Sequence, residues 1–168
     1  MTIRRAMAAL LFLSSATHLS AQSEGVGISL GRTPPPVAIE TLEGTRVELA
    51  HVIKARPALI EFWATWCSLC RALEPKLAAA YARYGTRVQF IAVAVAVNET
   101  PAAVRRHLDR HPMPYPYLWD ANGAAVRAFE APTTSFVVIL NAAGNVVYTG
   151  VGADQEIEAA LERAVAAN

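Results

Sequence analysis

Apolar and polar residues alternate over Val37 to Thr41 and again over Arg46 to Leu49, on either side of Glu43-Gly44, which predicts a β-hairpin. Ala58 to Trp63 is a short apolar run suited to a buried strand. The period then changes. Leu69, Leu73, Leu77, Ala80 and Tyr81 recur at helical spacing, predicting a helix over Cys67 to Tyr84, with Pro75 expected to kink it. Val88 to Val97 is almost wholly apolar and β-branched, the pattern of a central strand covered on both faces. Thr100-Pro101 supplies an N-cap and a first-turn proline for a helix carrying Val104 and Leu108. A short strand over Tyr117 to Trp119 follows, then a turn over Asp120 to Gly123 and a short helix over Ala124 to Phe129. Ser135 to Leu140 reads as a strand that turns through Asn141 to Gly144 into a partner over Asn145 to Thr149. Asp154 is the expected cap of a last helix, with Ile157, Leu161 and Val165 on one face. This order predicts an α/β domain with a mixed central sheet flanked by helices and an N-terminal hairpin extension.

Upstream of the hairpin the pattern is different in kind. Arg4 and Arg5 precede an apolar stretch from Ala6 to Leu13, followed by the small residues Ser14, Ser15 and Ala16 and later Ser20 and Ala21. That is the layout of a secretory signal peptide, assigned to residues 1–21. An uncleaved anchor is the rival reading, but a spanning helix needs about 20 mostly apolar residues, and Ser14, Ser15, Thr17 and His18 interrupt this one. Residues 22–36 carry Gly, Ser and Pro without a hydrophobic period and are expected to be a flexible leader. The domain proper is assigned to residues 37–168. The segment arrangement predicts an exported, soluble, periplasmic protein.

Composition narrows the function. Of 168 residues, 15 are Lys or Arg and 14 Asp or Glu, so the net charge of +1 carries no basic excess for nucleic acid. The two cysteines, Cys67 and Cys70, stand three positions apart. A disulfide across so short a loop removes little unfolded-state entropy, so the pair makes a poor structural staple. At the predicted helix start, unpaired N–H groups and the helix dipole favour a thiolate at Cys67, the form that attacks. Cys70, one turn on, is placed to resolve a mixed disulfide formed at Cys67. The alternative, half of a zinc site, needs two more ligands. His107 and His111 have helical spacing, but they are expected to be solvated surface residues. No metal and no cofactor is assigned.

The run Phe62-Trp-Ala-Thr-Trp-Cys67-Ser-Leu-Cys70 resembles the F-W-A-x-W-C-x-x-C motif of the thioredoxin superfamily, in its exported TlpA/ResA-like branch. Pro75, the Ala131-Pro132-Thr133-Thr134 segment before a strand, and Leu140 to Gly144 with Val146 and Val147 extend the likeness. The resemblance implies a thioredoxin-like fold with Cys67 as attacking thiolate and Cys70 as resolving thiol. It further implies a cis peptide bond at Pro132, packed on the disulfide, and a backbone beside Pro132 that pairs with an extended client. Ala131, Thr133, Trp66 and Leu69 would then contact the client. Without the resemblance, Pro132 is a strand-initiating proline. Glu61 occupies the position where thioredoxins keep a buried acid. A carboxylate in an apolar strand is costly unless paired or protonated. It is expected to have a raised pKa and to accept the Cys70 proton, the alternative being a side chain facing solvent at a strand edge.

Two departures bear on specificity. The position three residues after Cys70 is Leu73, with the acid at Glu74 instead, and Thr133 stands where haem-maturation members often carry Glu. The expected activity is therefore reduction of client disulfides generally, fed by a membrane electron donor, with oxidase or isomerase activity as the alternative. Copper handling and thiol peroxidase chemistry rank below these, since the spacing fits neither. The chain is expected to be a monomer whose partners are client protein thiols and disulfides.

Overall fold

The computed structural model describes residues 25–166, so the predicted signal segment lies outside the described residues. Seven strands form one mixed sheet. They are β1 (Ala38–Thr41), β2 (Arg46–Glu48), β3 (Ala58–Trp63), β4 (Gln89–Val95), β5 (Tyr117–Asp120), β6 (Phe136–Leu140) and β7 (Val146–Val151), and they lie in the order β2-β1-β5-β4-β3-β6-β7. β3, β4 and β5 run parallel, while the hairpins at both ends are antiparallel. β3 lies at the centre of the sheet, with β4 and β6 bonded to its two edges, and is buried at all six positions, so both of its faces are covered. The predicted hairpin extension is β1–β2, and β1 also pairs with β5.

Five helices connect or cover the strands: α1 (Leu49–Ile53), α2 (Ser68–Tyr84), α3 (Pro101–Leu108), α4 (Ala124–Ala128) and α5 (Ile157–Ala166). α2 runs unbroken through Pro75 and buries Cys70, Leu73, Leu77, Ala80 and Tyr84, so its inward stripe starts at Cys70 and not at Leu69. α5 packs on α2 and over β6 and β7. Thr100 caps α3 as expected, its Oγ1 accepting from the Ala103 N–H at 3.2 Å.

Three local expectations are corrected. Leu49 begins α1 and does not end β2, and Lys54 and Ala55 then turn the chain in the left-handed region. Asp154 does not cap α5, which starts three residues later. The reason is Gln155, which is buried with its Nε2 donating to the carbonyls of Ser135 (2.9 Å) and Gly152 (2.7 Å), fixing a turn where a helical one was expected. Finally, the part of the leader that is described is not loose. Ile28 is wholly buried, its N–H donates to Phe129 O, and Gly31 and Arg32 exchange backbone hydrogen bonds with Val146.

Asp120 has a structural role that its place in a turn concealed. Buried at the end of β5, its two carboxylate oxygens accept from the Ala125 N–H (3.2 Å) and the Val126 N–H (2.9 Å). α4 has Gly123 at its N-cap, which offers no side chain, so Asp120 caps it from a distance. Asp120→Ala leaves two N–H groups without these partners and is expected to lower stability by roughly 2 kcal/mol, read as a shift in the urea-unfolding midpoint with unchanged slope.

Candidate functional site

β3 ends at Trp63 and Cys67 is the N-cap of α2, so only three residues join the centre of the sheet to the sulfurs. Cys67 and Cys70 are bonded to each other, with Cα atoms 5.3 Å apart. Cys67 Sγ accepts from the Cys70 N–H at 3.1 Å, one of the helix-start donors with no partner inside the helix. In the reduced protein the same donor and the helix dipole favour negative charge on that sulfur. Both cysteines are buried, Cys67 at 5% and Cys70 at 2% exposure. Trp66 and Leu69 flank the pair and are about half exposed, at 48% and 50%.

The connecting loop is tied down by residues that the motif did not reveal. Glu99, between β4 and α3, accepts at Oε2 from both the Thr65 N–H (2.8 Å) and the Thr65 hydroxyl (2.6 Å). Trp66 Nε1 donates to Val97 O at 2.9 Å, and Arg71 Nη1 donates to Thr65 O at 3.0 Å. The β4 strand stops at Val95, leaving Val97 exposed beside Trp66. In sequence, Glu99 stands beside the Thr100 cap and reads only as an acid near a helix start.

Glu61 sits on the central strand between Ala92 of β4 and Val137 of β6, which excludes the solvent-facing alternative. It is 5% exposed, and its Oε1 has no hydrogen-bond partner. Burial, reinforced by the nearby Glu74 carboxylate, pushes its pKa up to about 8. Tyr115 and Tyr117 are held well above the usual phenol range by burial first and by the Glu61 charge second. Two residues along the strand, Trp63 packs against the rings of Tyr117 (5.4 Å) and His107 (5.5 Å). His107 is therefore half-buried against the core and not a freely solvated residue; burial, then the His111 charge, lowers its pKa. Among the described residues no three His, Cys, Asp or Glu side chains converge to hold a metal ion.

The segment around Pro132 precedes β6, whose first residue Phe136 pairs with Phe62 of β3. Because β3 and β6 are antiparallel, this segment and the start of α2 share one end of the sheet. Pro132 and Thr133 are exposed, and Ala131 is half-buried. The expected cis bond is not found: among the described residues no peptide bond is cis, and Ala131–Pro132 is trans. The chain instead turns at Glu130 and Ser135, both in the left-handed region with φ of 50° and 59°.

With that geometry in place, comparison with known proteins is direct. The Redoxin family model matches residues 30–165, most of the chain. This chain belongs to the Redoxin family. The redoxin is 29% identical over 142 residues to the thioredoxin-like protein YneN of Bacillus subtilis, covering 82% of this chain and 81% of that one. It is 28% identical over 125 residues to the thiol-disulfide oxidoreductase ResA of the same organism, covering 74% and 69%. In structure it is similar to the thioredoxin domain of a thiol-disulfide oxidoreductase from Bacteroides vulgatus, with a TM-score of 0.70 at 17% identity, over 82% of this chain and 99% of that one. The fold is thus thioredoxin-like, as the motif implied.

In the redoxin the buried acid leaves a signature on stability. The folded state holds the Glu61 proton more tightly than the unfolded chain, whose carboxyl titrates near 4.5. Stability therefore falls as pH rises from about 4.5 and levels off above about 8. The expected loss across that window is on the order of 5 kcal/mol. Glu61→Gln removes this component, so denaturant titrations from pH 5 to pH 9 are expected to show a shallower decline for the variant than for the parent.

Proposed function

We propose that this redoxin, a thiol–disulfide oxidoreductase, works outside the cytoplasm as a reductase of client protein disulfides. The observation that carries the reading is a bonded Cys67–Cys70 pair at a helix start, four residues beyond the end of the strand that holds a buried, protonatable Glu61. In the first step the Cys67 thiolate attacks one sulfur of a client disulfide. A Cys67–client disulfide forms, and the second client sulfur leaves as a thiolate that takes up a proton. In the second step ionised Glu61 accepts the Cys70 proton as Cys70 attacks Cys67 Sγ. The internal disulfide forms and the remaining client sulfur leaves reduced. Two electrons have passed from the dithiol to the client, and a membrane electron donor restores the dithiol.

Trp66, Leu69, Ala131, Pro132 and Thr133 are the proposed client contacts. Trp66 and Leu69 offer apolar surface beside the sulfurs, and the exposed backbone beside Pro132 is the proposed pairing edge for an extended client chain. The export reading rests on residues 1–21, and among the described residues no helix is long and apolar enough to cross a membrane.

Two experiments test the reading. Cys70→Ser is expected to accumulate a mixed disulfide with oxidised client that Cys67→Ser does not form, visible as a reducible adduct by mass spectrometry; equal trapping by both variants would refute the role assignment. The collapse of a preformed Cys67 mixed disulfide isolates the second step. Its rate is expected to climb with pH and flatten near the Glu61 pKa of about 8. Glu61→Gln is expected to be slower by at least about tenfold and to lack that inflection; unchanged kinetics between pH 6 and 9 would remove Glu61 from the mechanism.

A further inference from the structure

Residues 25–33 touch both ends of the loop that carries Pro132. The Ile28 N–H donates to Phe129 O at 3.1 Å, at the loop's start, and the wholly buried Ile28 side chain joins the core cluster that contains Phe129 and Phe136. Gly27 sits where no side chain fits. Its φ is +77°, and a Cβ there would lie 2.7 Å from Phe136 Cζ and 2.9 Å from Glu130 O. Arg32 pairs with the Glu130 carboxylate at 2.9 Å. Further along, Gly31 and Arg32 bond to Val146, and Thr33 to Asn145, so the segment is pinned at its far end to the β6–β7 hairpin. The Phe129 and Phe136 rings in turn pack on Phe62, the strand residue beside Glu61.

The loop needs outside support. It is entered through Glu130 and left through Ser135, two non-glycine residues in the left-handed region. Such conformations persist where the surroundings over-determine them. Ser135 is held from one side by Gly152, whose N–H donates to its Oγ at 3.1 Å, and by Gln155. On the other side stands the 25–33 segment.

We propose that residues 25–33 are a strap that holds the Glu130–Ser135 loop in the position from which it engages the client chain, making Gly27 and Ile28 positioning residues for client binding. This rests on the reading above that the Pro132 loop contacts the client. The strap does not touch the sulfurs, so it sets how well a protein disulfide is held and not how readily the sulfurs exchange.

The test uses the full chain with two substrates, insulin as a protein disulfide and hydroxyethyl disulfide as a small one. Gly27→Ala and Ile28→Ala are expected to raise KM for insulin by roughly tenfold, the scale of loss that a misplaced contact residue brings. The kcat, the rate with hydroxyethyl disulfide and the Cys67–Cys70 midpoint potential are expected to stay within about twofold of the parent, because neither substitution touches the reacting atoms. Leu161→Ala, an equally buried change on α5, is the control for lost stability and is expected to leave both rates alone. Pro132→Ala is run beside them. Parental KM in the strap variants with a raised KM in Pro132→Ala overturns the strap and leaves the loop reading standing. Parental KM in Pro132→Ala overturns the loop reading itself, and the strap with it. If Ile28→Ala is recovered unfolded, Ile28→Val carries the same test with a rise in KM of about twofold, since it removes a single methylene.

Discussion

A strand covered on both faces and bonded along both edges has only one register open to it. β3 is in that position, paired with β4 from Ala58↔Gln89 to Trp63↔Ala94 and with β6 from Ala58↔Leu140 to Phe62↔Phe136. Slipping by one residue would exchange its two faces. Glu61 and Trp63 would leave the side where Trp63 meets His107 and Tyr117, and Phe62 would leave the cluster of Phe129 and Phe136. Cys67 follows Trp63 by so few residues that its place is set by the same register. The precision of the sulfur site is thus inherited from packing in the middle of the sheet.

Electrostatics at this end of the sheet favour one negative charge in one of two places. The start of α2 stabilises an anion on Cys67 Sγ, through the Cys70 N–H and the helix dipole. On β3, burial disfavours an anion on Glu61, and the neighbouring Glu74 disfavours it further. Tyr115 and Tyr117 answer the same burial by keeping their protons. A proton held at Glu61 therefore coexists with a thiolate at Cys67. In the mechanism proposed above an ionised Glu61 takes the Cys70 proton, which is the direction that resolution of a mixed disulfide requires. A third carboxylate, Glu99, accepts two hydrogen bonds from Thr65 and so fixes the loop that leads to Cys67.

Hydrophobic period and cap chemistry carried most of the fold. The near-continuous apolar character of Ala58 to Trp63 and Val88 to Val95 fitted strands covered on both sides, and Thr100-Pro101 named its own helix start. Cys67 and Cys70 were legible because the sulfurs, their spacing and the helix start lie within a few residues. Glu61 was legible for the opposite reason, as a charge where the pattern demanded none. What escaped was held together by partners distant in sequence. Glu99 meets Thr65 from 34 residues away, and Arg32 meets Glu130 from 98. Asp154 misled because Gln155, an unremarkable polar residue in sequence, has its partners on Ser135 and Gly152. The segment before Val37 read as loose because Ile28 is one buried side chain among glycines, and one residue makes no period.

The residues upstream of β3 perform two similar tasks at opposite ends of the sheet. The β1–β2 hairpin pairs with β5, which would otherwise be an edge strand, and moves the free edge to the three-residue β2, too short to template a partner. The stretch from Gly25 does the equivalent for the other end. By alternation along β7, Tyr148 faces Gln155 and α5 while Thr149 faces the opposite way, and Thr149 Oγ1 lies 2.6 Å from where a Cβ on Gly25 would be. Ile28 in this stretch is wholly buried and belongs to the core cluster. A sheet end closed by a short segment is closed by few contacts, and those with Phe129, Glu130 and Phe136 are among them. Residues 25–33 are therefore tied to the loop beside the sulfurs by packing, a backbone hydrogen bond and an ion pair, without any residue in common with the redox pair.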